Sequence, residues 1–456
     1  MFTYVQLKNF KSFKNVEIDL QSKKNVPKTL AIIYGVNGSG KTTVAQAFYF
    51  LRRTMQTMQT LQFDNMLNEF LDEKNNPPEE IQLKTEMIFK YLTTKLSRNG
   101  LEKLIEEYKM IDSAENLSLE YHFEIDGGNG SYYIEMDENS IVKERLEYKI
   151  GKKRGCYFNI EDDEIWVNEK IFESKEFYDH IYRQARMYWG RHTLLSILYF
   201  EMGDKSDTYI NSNISMNLMK IMMAFEKINY KIPRVSEGER LLLDEHNEIL
   251  GNLEGGTIEK RNEGMLDKVE KLIDRFFVSL FNDVVGAYYK RTYTKGNIEY
   301  ALVLRKKIEV YEYDIDFKLE SNGTKEILEV LPYLVAAVSG SCVIIDEYGI
   351  GVHDLLAAKL LESIAPQVKG QLIITTHNTM LMNSDSEDVK IEPESLYFIL
   401  NNKTFRKTVC CITEIEGRLH PNYNYQKRYF THERYRYYLP EIRKNIDLKE
   451  LAELYQ

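Results

Sequence analysis

The sequence predicts an α/β fold, a mixed sheet flanked by helices, carrying a large and mainly helical inserted lobe. Three observations support this. Leu30 to Tyr34 (LAIIY) is a short, fully apolar run that ends in a glycine-rich loop and gives way to helical character from Thr42 to about Gln62. Cys342 to Ile345 (CVII) and Gln371-Leu-Ile-Ile-Thr-Thr-His377 each repeat the pattern of a buried strand running into polar residues. The stretch between these two ends is far longer than one such sheet needs, which leaves room for the lobe.

Along the chain, Phe2, Tyr4, Val5 and Leu7 and then Val16, Ile18 and Leu20 mark two paired strands around a KNFKSFKN turn. An amphipathic helix is expected near 84–110, followed by strands LSLEYHFEI and GSYYIEM around the loop DGGNG. From 175 to 290 helices dominate. The clearest carries Met265, Val269, Leu272, Phe276 and Leu280 at three- and four-residue spacing, a stripe that reads as core. Strands return at NIEYALVLRKKIEVYEYDIDF, ahead of a helix and the two buried strands. The expected division is a head formed by 1–60 and 297–456, a mixed α/β part at 61–170 that belongs to the head and the start of the insertion, and a helical inserted lobe at 171–296.

The 456 residues carry a formal charge of −10 with 29% charged side chains, so nucleic-acid contact would have to come from a local patch. The longest apolar stretch, Val330 to Ile345, is broken by Pro332 and by Ser339-Gly340-Ser341 and falls short of a membrane span. The opening MFTYVQLKNFKSF lacks the layout of an export signal, so a cytoplasmic protein with no membrane partner is expected. The four cysteines form no CxxC pair and read as reduced, structural thiols.

Gly35-Val-Asn-Gly-Ser-Gly-Lys41-Thr42 fits GxxxxGK[ST], with a strand before it and a helix after it. Glycines let the backbone wrap phosphates with its N–H groups inward, and the helix offers its positive end to the same anion. Gly35, Asn37, Gly38, Ser39, Gly40, Lys41, Thr42 and Thr43 are therefore candidate ATP-binding residues. Lys41 would reach the β- and γ-phosphates, and Thr42 would ligate Mg²⁺.

Such a site also needs a carboxylate on a neighbouring strand. SEGERLLLDEH at 236–246 offers Asp244 and Glu245, but only two residues separate its Ser-Glu-Gly from the apolar run, too few for the helix that must intervene. Ser321-Asn-Gly323 has that room: a helix-like stretch follows, then CVII, Asp346 and Glu347. Ser321 can cap the helix and direct its N–H groups at a γ-phosphate. Asp346 is the candidate metal ligand and Glu347 the candidate base for water. His377 supplies a polar side chain at the sheet's C-terminal edge, where open α/β sheets bind ligands.

These segments resemble the ABC-type ATPases of the SMC, RecF and OLD class, and within it the AAA-family ATPases of bacterial anti-phage, abortive-infection systems. VQLKNFKSF looks like the class's opening strand pair and GVNGSGKTT its Walker A. LESNGTKE is similar to its signature, VIIDE to its Walker B and TTHNTML to its switch-histidine segment. The stretch ITEIEGRLHPNYNYQKRY looks like a tail seen in defence members. The resemblance implies an ABC-type P-loop ATPase head that acts as at least a homodimer, Lys41 and Thr42 of one copy meeting Ser321 and Gly323 of another. It also implies catalytic roles for Glu347 and His377. The chain departs from the family after Asp-Glu, where Gly349 replaces an acidic residue and Asp354 a proline, while His353 is kept. That departure implies slow hydrolysis or altered coupling, and no glutamine loop can be placed.

Three roles compete. One is an ATPase sensor that regulates a separately encoded effector, a nuclease or toxin, in defence. The second is a RecF/SMC-like DNA repair or DNA-structure ATPase. The third, a built-in nuclease, lacks the spaced carboxylates it would need after His377. The segment 427–438 interleaves Lys427, Arg428, Arg434 and Arg436 with aromatics, and nucleic acid, a protein partner and a packed surface all stay open for it. Trp189-Gly-Arg-His192 reads as a packed aromatic beside a turn.

Overall fold

The computed structural model describes residues 1–59, 100–203, 205–231, 248–382, 390–401, 406–417, 419 and 424–431. SEGERLLLDEH, residues 84–99 of the expected helix and residues 432–438 of the tail lie outside them.

β1 (Phe2–Phe10) and β2 (Phe13–Asp19) pair antiparallel around a tight turn, as their alternation predicts. A small ribbon, β3 (Gln21–Lys23) with β4 (Val26–Pro27), leads into β5 (Leu30–Tyr34) and, after the glycine-rich loop, α1 (Lys41–Thr54). α2 (Leu101–Tyr108) precedes an antiparallel run of β6 (Leu117–Ile125), β7 (Gly128–Met136), β8 (Ile141–Ile150), β9 (Lys153–Glu161) and β10 (Glu164–Val167). These five extend the β1–β2 pair into a seven-stranded sheet of order β10-β9-β8-β7-β6-β1-β2. The loop expected at DGGNG shortens to Asp126-Gly127, both with positive φ, because Gly128 already pairs with Ile125.

Helices α3 (Lys175–Tyr188), α4 (Leu194–Met202), α5 (Asp207–Asn213) and α6 (Met216–Glu226) follow, each opened by a serine or threonine whose hydroxyl accepts from a first-turn N–H. The chain then enters β11 (Ile228–Lys231). A second cluster holds α7 (Glu248–Gly251), β12 (Gly255–Glu259), α8 (Glu263–Leu280), β13 (Val284–Tyr293), β14 (Asn297–Ile308) and β15 (Tyr311–Asp316). In it α8 packs on the antiparallel β12-β14-β13 sheet around its own core. The buried face of α8 is Leu266, Val269, Ile273 and Phe277, whereas Met265 and Leu272 are exposed. The expected stripe is thus rotated: the sequence LDKVEKLIDRFF carries two overlapping apolar registers, and the sheet selects one.

α9 (Asn322–Val338), β16 (Cys342–Ile345), α10 (Asp354–Ile364), β17 (Gln371–Thr375), β18 (Leu396–Asn401), β19 (Lys407–Cys411), α11 (Ile412–Glu416) and α12 (Tyr425–Thr431) complete the described chain. The central sheet has the order β11-β16-β17-β5-β18-β19 and is parallel except for β19. Its strands β5, β16 and β17 are buried throughout, as their apolar runs require of a sheet covered on both faces. Neighbouring residues of β11 show the two coverings: Tyr230 stacks on Tyr49 of α1, and Lys231 pairs with Glu326 of α9. One strand of this sheet thus comes from within 171–296, a range expected to be helical lobe. INYK is too short to stand out between helices by periodicity.

Gln371 welds the two large sheets together. Its side chain accepts from Phe2 N (2.8 Å) and donates to Phe2 O (2.9 Å) and Lys28 O (3.0 Å), with no surface exposed. All four cysteines are free thiols. Among the described residues no helix is long and apolar enough to cross a membrane.

Candidate active site

The site lies at the C-terminal edge of the parallel sheet, where β5, β16 and β17 end side by side. Gly40 takes φ +113° at the start of α1, a conformation that favours glycine, and a side chain there would run into the Phe13 ring of the β1–β2 turn. Gly38 is also left-handed, at φ +75°. Gly35 is crowded, since a Cβ there would lie 2.3 Å from Ser39 Oγ and would have to displace that hydroxyl. Asn37, Gly38 and Thr42 are exposed, Ser39 and Thr43 buried. Lys41 is buried and donates to Gly35 O (2.8 Å) and Val36 O (3.3 Å), folded back along the loop. Burial pushes its pKa down, opposed by the negative charges of Glu347 and Asp346 nearby. The lysine and both carboxylates therefore share one electrostatic neighbourhood.

Asp346 is 1% exposed. Its Oδ1 accepts from Thr375 Oγ1, while its Oδ2 is buried without a partner. Thr375 Oγ1 also accepts from Glu347 N (2.9 Å), and Thr375 O from Tyr348 N (2.8 Å). This clamp holds Glu347 at φ +55°, unusual for a residue with a side chain and a form of strain that clusters at functional sites. His377, exposed just past β17, has its pKa lowered by desolvation and then by Lys41, with Asp346 opposing. Lys41, Asp346, Glu347 and His377 are thus brought together.

Ser321 and Gly323 stand elsewhere, at the N-terminus of α9. Ser321 Oγ accepts from Thr324 N (3.2 Å), the expected cap. A Cβ on Gly323 would lie 2.6 Å from Gly351 O, so this turn is pressed against the loop that leaves Glu347. In that loop Gly349 has φ +84°, and a Cβ there would lie 3.0 Å from that of Ala357, while Gly351 has φ +72°. A side chain at Gly349 would meet Ala357 and have to take a left-handed conformation. His353 caps α10, its Nδ1 accepting from Leu355 N (3.3 Å).

Several supporting residues escaped the sequence reading. Asn378 donates to Asp354 O (2.7 Å) and accepts from Met380 N (3.0 Å), fastening the His377 segment to α10. Lys407 of β19 donates to Ser12 Oγ (2.9 Å) and Gly38 O (3.2 Å), joining the β1–β2 turn to the phosphate loop. Their side chains act through folded contacts that carry no spacing signal. Thr375 could have been noticed, being the last polar residue of a buried strand.

Mg²⁺ fits this donor set. A hard cation beside phosphates takes only one or two protein oxygens, and the unpartnered Asp346 Oδ2 with the exposed hydroxyl residue Thr42 meets that need. The buried, unpartnered Ser39 Oγ is a further polar group in the phosphate loop.

A family model described as "AAA domain, putative AbiEii toxin, Type IV TA system" matches residues 30–383. The chain belongs to that family. The match of this AAA-domain chain runs from β5 through the His377 segment and so takes in the phosphate loop, Ser321, Asp346 and Glu347. It bears out the resemblance to AAA-family ATPases of abortive-infection systems. No curated protein matches the AAA-domain chain. Among solved structures it is similar to the SMC head domain from Thermotoga maritima, at 14% identity and a TM-score of 0.36, over 90% of this chain and 98% of that one.

The tail of the AAA-domain chain begins as packed structure. Tyr429 of α12 lies against Phe398 (5.6 Å between rings), and Arg428 pairs with Glu416. Arg428 and Tyr429 are taken up by this packing, whereas Lys427, Phe430 and Thr431 are exposed, so the three readings stay open for the rest of the segment.

Proposed function

We propose that the protein is an ATPase that binds and hydrolyses Mg-ATP, dimerises through composite sites, and regulates a separately encoded effector, a nuclease or toxin, in anti-phage defence. One observation carries the enzymatic part: Lys41, Asp346, Glu347 and His377 converge at one edge of a parallel sheet, with Glu347 held in a left-handed conformation by Thr375. In this reading Lys41 leaves its carbonyl partners to take up phosphate oxygens. Mg²⁺, when bound, neutralises phosphate charge. Glu347 accepts a proton from the attacking water, and His377, kept neutral by its surroundings, donates or accepts a hydrogen bond near the γ-phosphate.

Ser321 and Gly323 serve the partner's nucleotide, as the resemblance implies. Their packing on the Gly351 loop supports coupling between the two sites, since movement of that loop after Glu347 would be felt at the signature turn. The family description, which names a Type IV toxin–antitoxin system, supports the partner reading. The test has two arms. ATP hydrolysis and mass in solution are measured with and without Mg-ATP, and the chain is co-expressed with the reading frame beside its gene. An ATP-dependent dimer that alters the neighbour's toxicity is expected. Hydrolysis without any effect on a neighbour, together with salt-dependent DNA binding, would favour the repair role instead.

A further inference from the structure

Tyr230 is the third residue of β11, the edge strand that lies parallel to β16. Its register partner is Ile344, two residues before Asp346, and the next residue, Lys231, accepts at its carbonyl from Asp346 N (3.0 Å). The ring stacks on Tyr49 of α1 at 5.1 Å and 29° and is 2% exposed. Its hydroxyl is buried with no hydrogen-bond partner. The charges of Asp346 and Glu347 both act on that hydroxyl, reinforcing the larger effect of burial in raising its pKa. Two orphaned buried oxygens, Tyr230 Oη and Asp346 Oδ2, thus belong to the paired ends of β11 and β16.

An unpartnered buried hydroxyl costs free energy that an aliphatic or phenyl group would not. Packing alone would be served as well by phenylalanine, which stacks on Tyr49 equally. The hydroxyl therefore asks for a partner present only in the working state. Resting on the ATPase reading above, we propose that Tyr230 is a positioning residue of the nucleotide site, its hydroxyl donating to a water held against the Asp346–Glu347 pair when Mg-ATP is bound. It acts through that water and touches no reacting atom. Tyr230 Oη, Asp346 Oδ2 and the Glu347 carboxylate are the polar partners that such a buried water would take. Tyr230 carries no spacing signal in the sequence, standing inside a four-residue strand.

The test compares wild type with Tyr230→Phe in the full chain, by thermal melting and by kinetics. Without nucleotide the variant is expected to melt at or above the wild-type temperature. The extra rise in melting temperature that Mg-ATP gives over ATP with EDTA is expected to shrink, and kcat to fall on the order of tenfold with KM for ATP within about twofold. A variant that is as active as wild type and keeps the full Mg-dependent rise would overturn the proposal, leaving the hydroxyl as a merely buried group. So would a variant that melts well below wild type without nucleotide, since the hydroxyl would then be structural. If wild type itself neither binds nor hydrolyses Mg-ATP, the ATPase reading falls first and this inference with it.

Discussion

Thr375 Oγ1 donates to Asp346 Oδ1 and in the same position accepts from the backbone N–H of Glu347, so one hydroxyl orients both carboxylate residues. The threonine is fully buried and sits at the end of β17, whose pairing with β16 fixes the distance between them.

Thr375→Val keeps shape and strand propensity but removes both bonds. A carboxylate that loses its orienting partner binds metal about 10–100-fold more weakly. Titration of Mg²⁺ dependence in the ATPase assay should show that loss, with stability reduced by about 1–3 kcal/mol for the groups left unpaired. Unchanged Mg²⁺ dependence would separate Thr375 from the site.

Gly323→Ala places a methyl group against Gly351 O, a backbone atom that can move only with its whole loop. The signature turn and the loop after Glu347 must shift apart. Expected is normal binding of ATP, since the phosphate loop is untouched, with ATP-dependent dimerisation lost in sedimentation or light scattering. A variant that dimerises normally would argue against coupling through this contact.

The pH dependence of stability has a marker in His192. Burial, and then Arg191, lowers its pKa from 6.5 to about 4, and its Nδ1 has no partner. Between pH 4 and 6.5 the unfolded chain binds a proton that the folded chain does not, so this residue's contribution to stability is present above pH 6.5 and is lost as pH falls toward 4. His192→Gln should remove that part of the loss, on the order of 2 kcal/mol across the window after relaxation is allowed for. Urea melts of both proteins at pH 7 and pH 4.5 measure the difference, and equal losses would contradict it.

The parallel sheet and its working edge were legible because their strands are short apolar runs ending in chemistry: LAIIY before Gly35, CVII before Asp346, QLIIT before His377. Ser321 was legible through its cap, which is a local hydrogen bond. What remained hidden depends on neighbours distant in sequence. β11 joins the sheet from between helices, Lys407 reaches the phosphate loop from the far edge strand, and α8 turns Leu266 inward instead of Met265 because the sheet beneath it decides. The seven-stranded antiparallel sheet shows only weakly in a sequence whose strands alternate, half their residues facing solvent or helices.

The central claim is that Glu347, beside Asp346, is the base of an ATP-hydrolysing site. It is tested most directly by the ATPase rates of Glu347→Gln and Glu245→Gln beside wild type, with the bound nucleotide and mass of each protein recorded. The expected result is that Glu347→Gln loses hydrolysis while retaining ATP in a stable dimer, and Glu245→Gln keeps the wild-type rate. Hydrolysis at the wild-type rate by Glu347→Gln, with loss in Glu245→Gln, would contradict it.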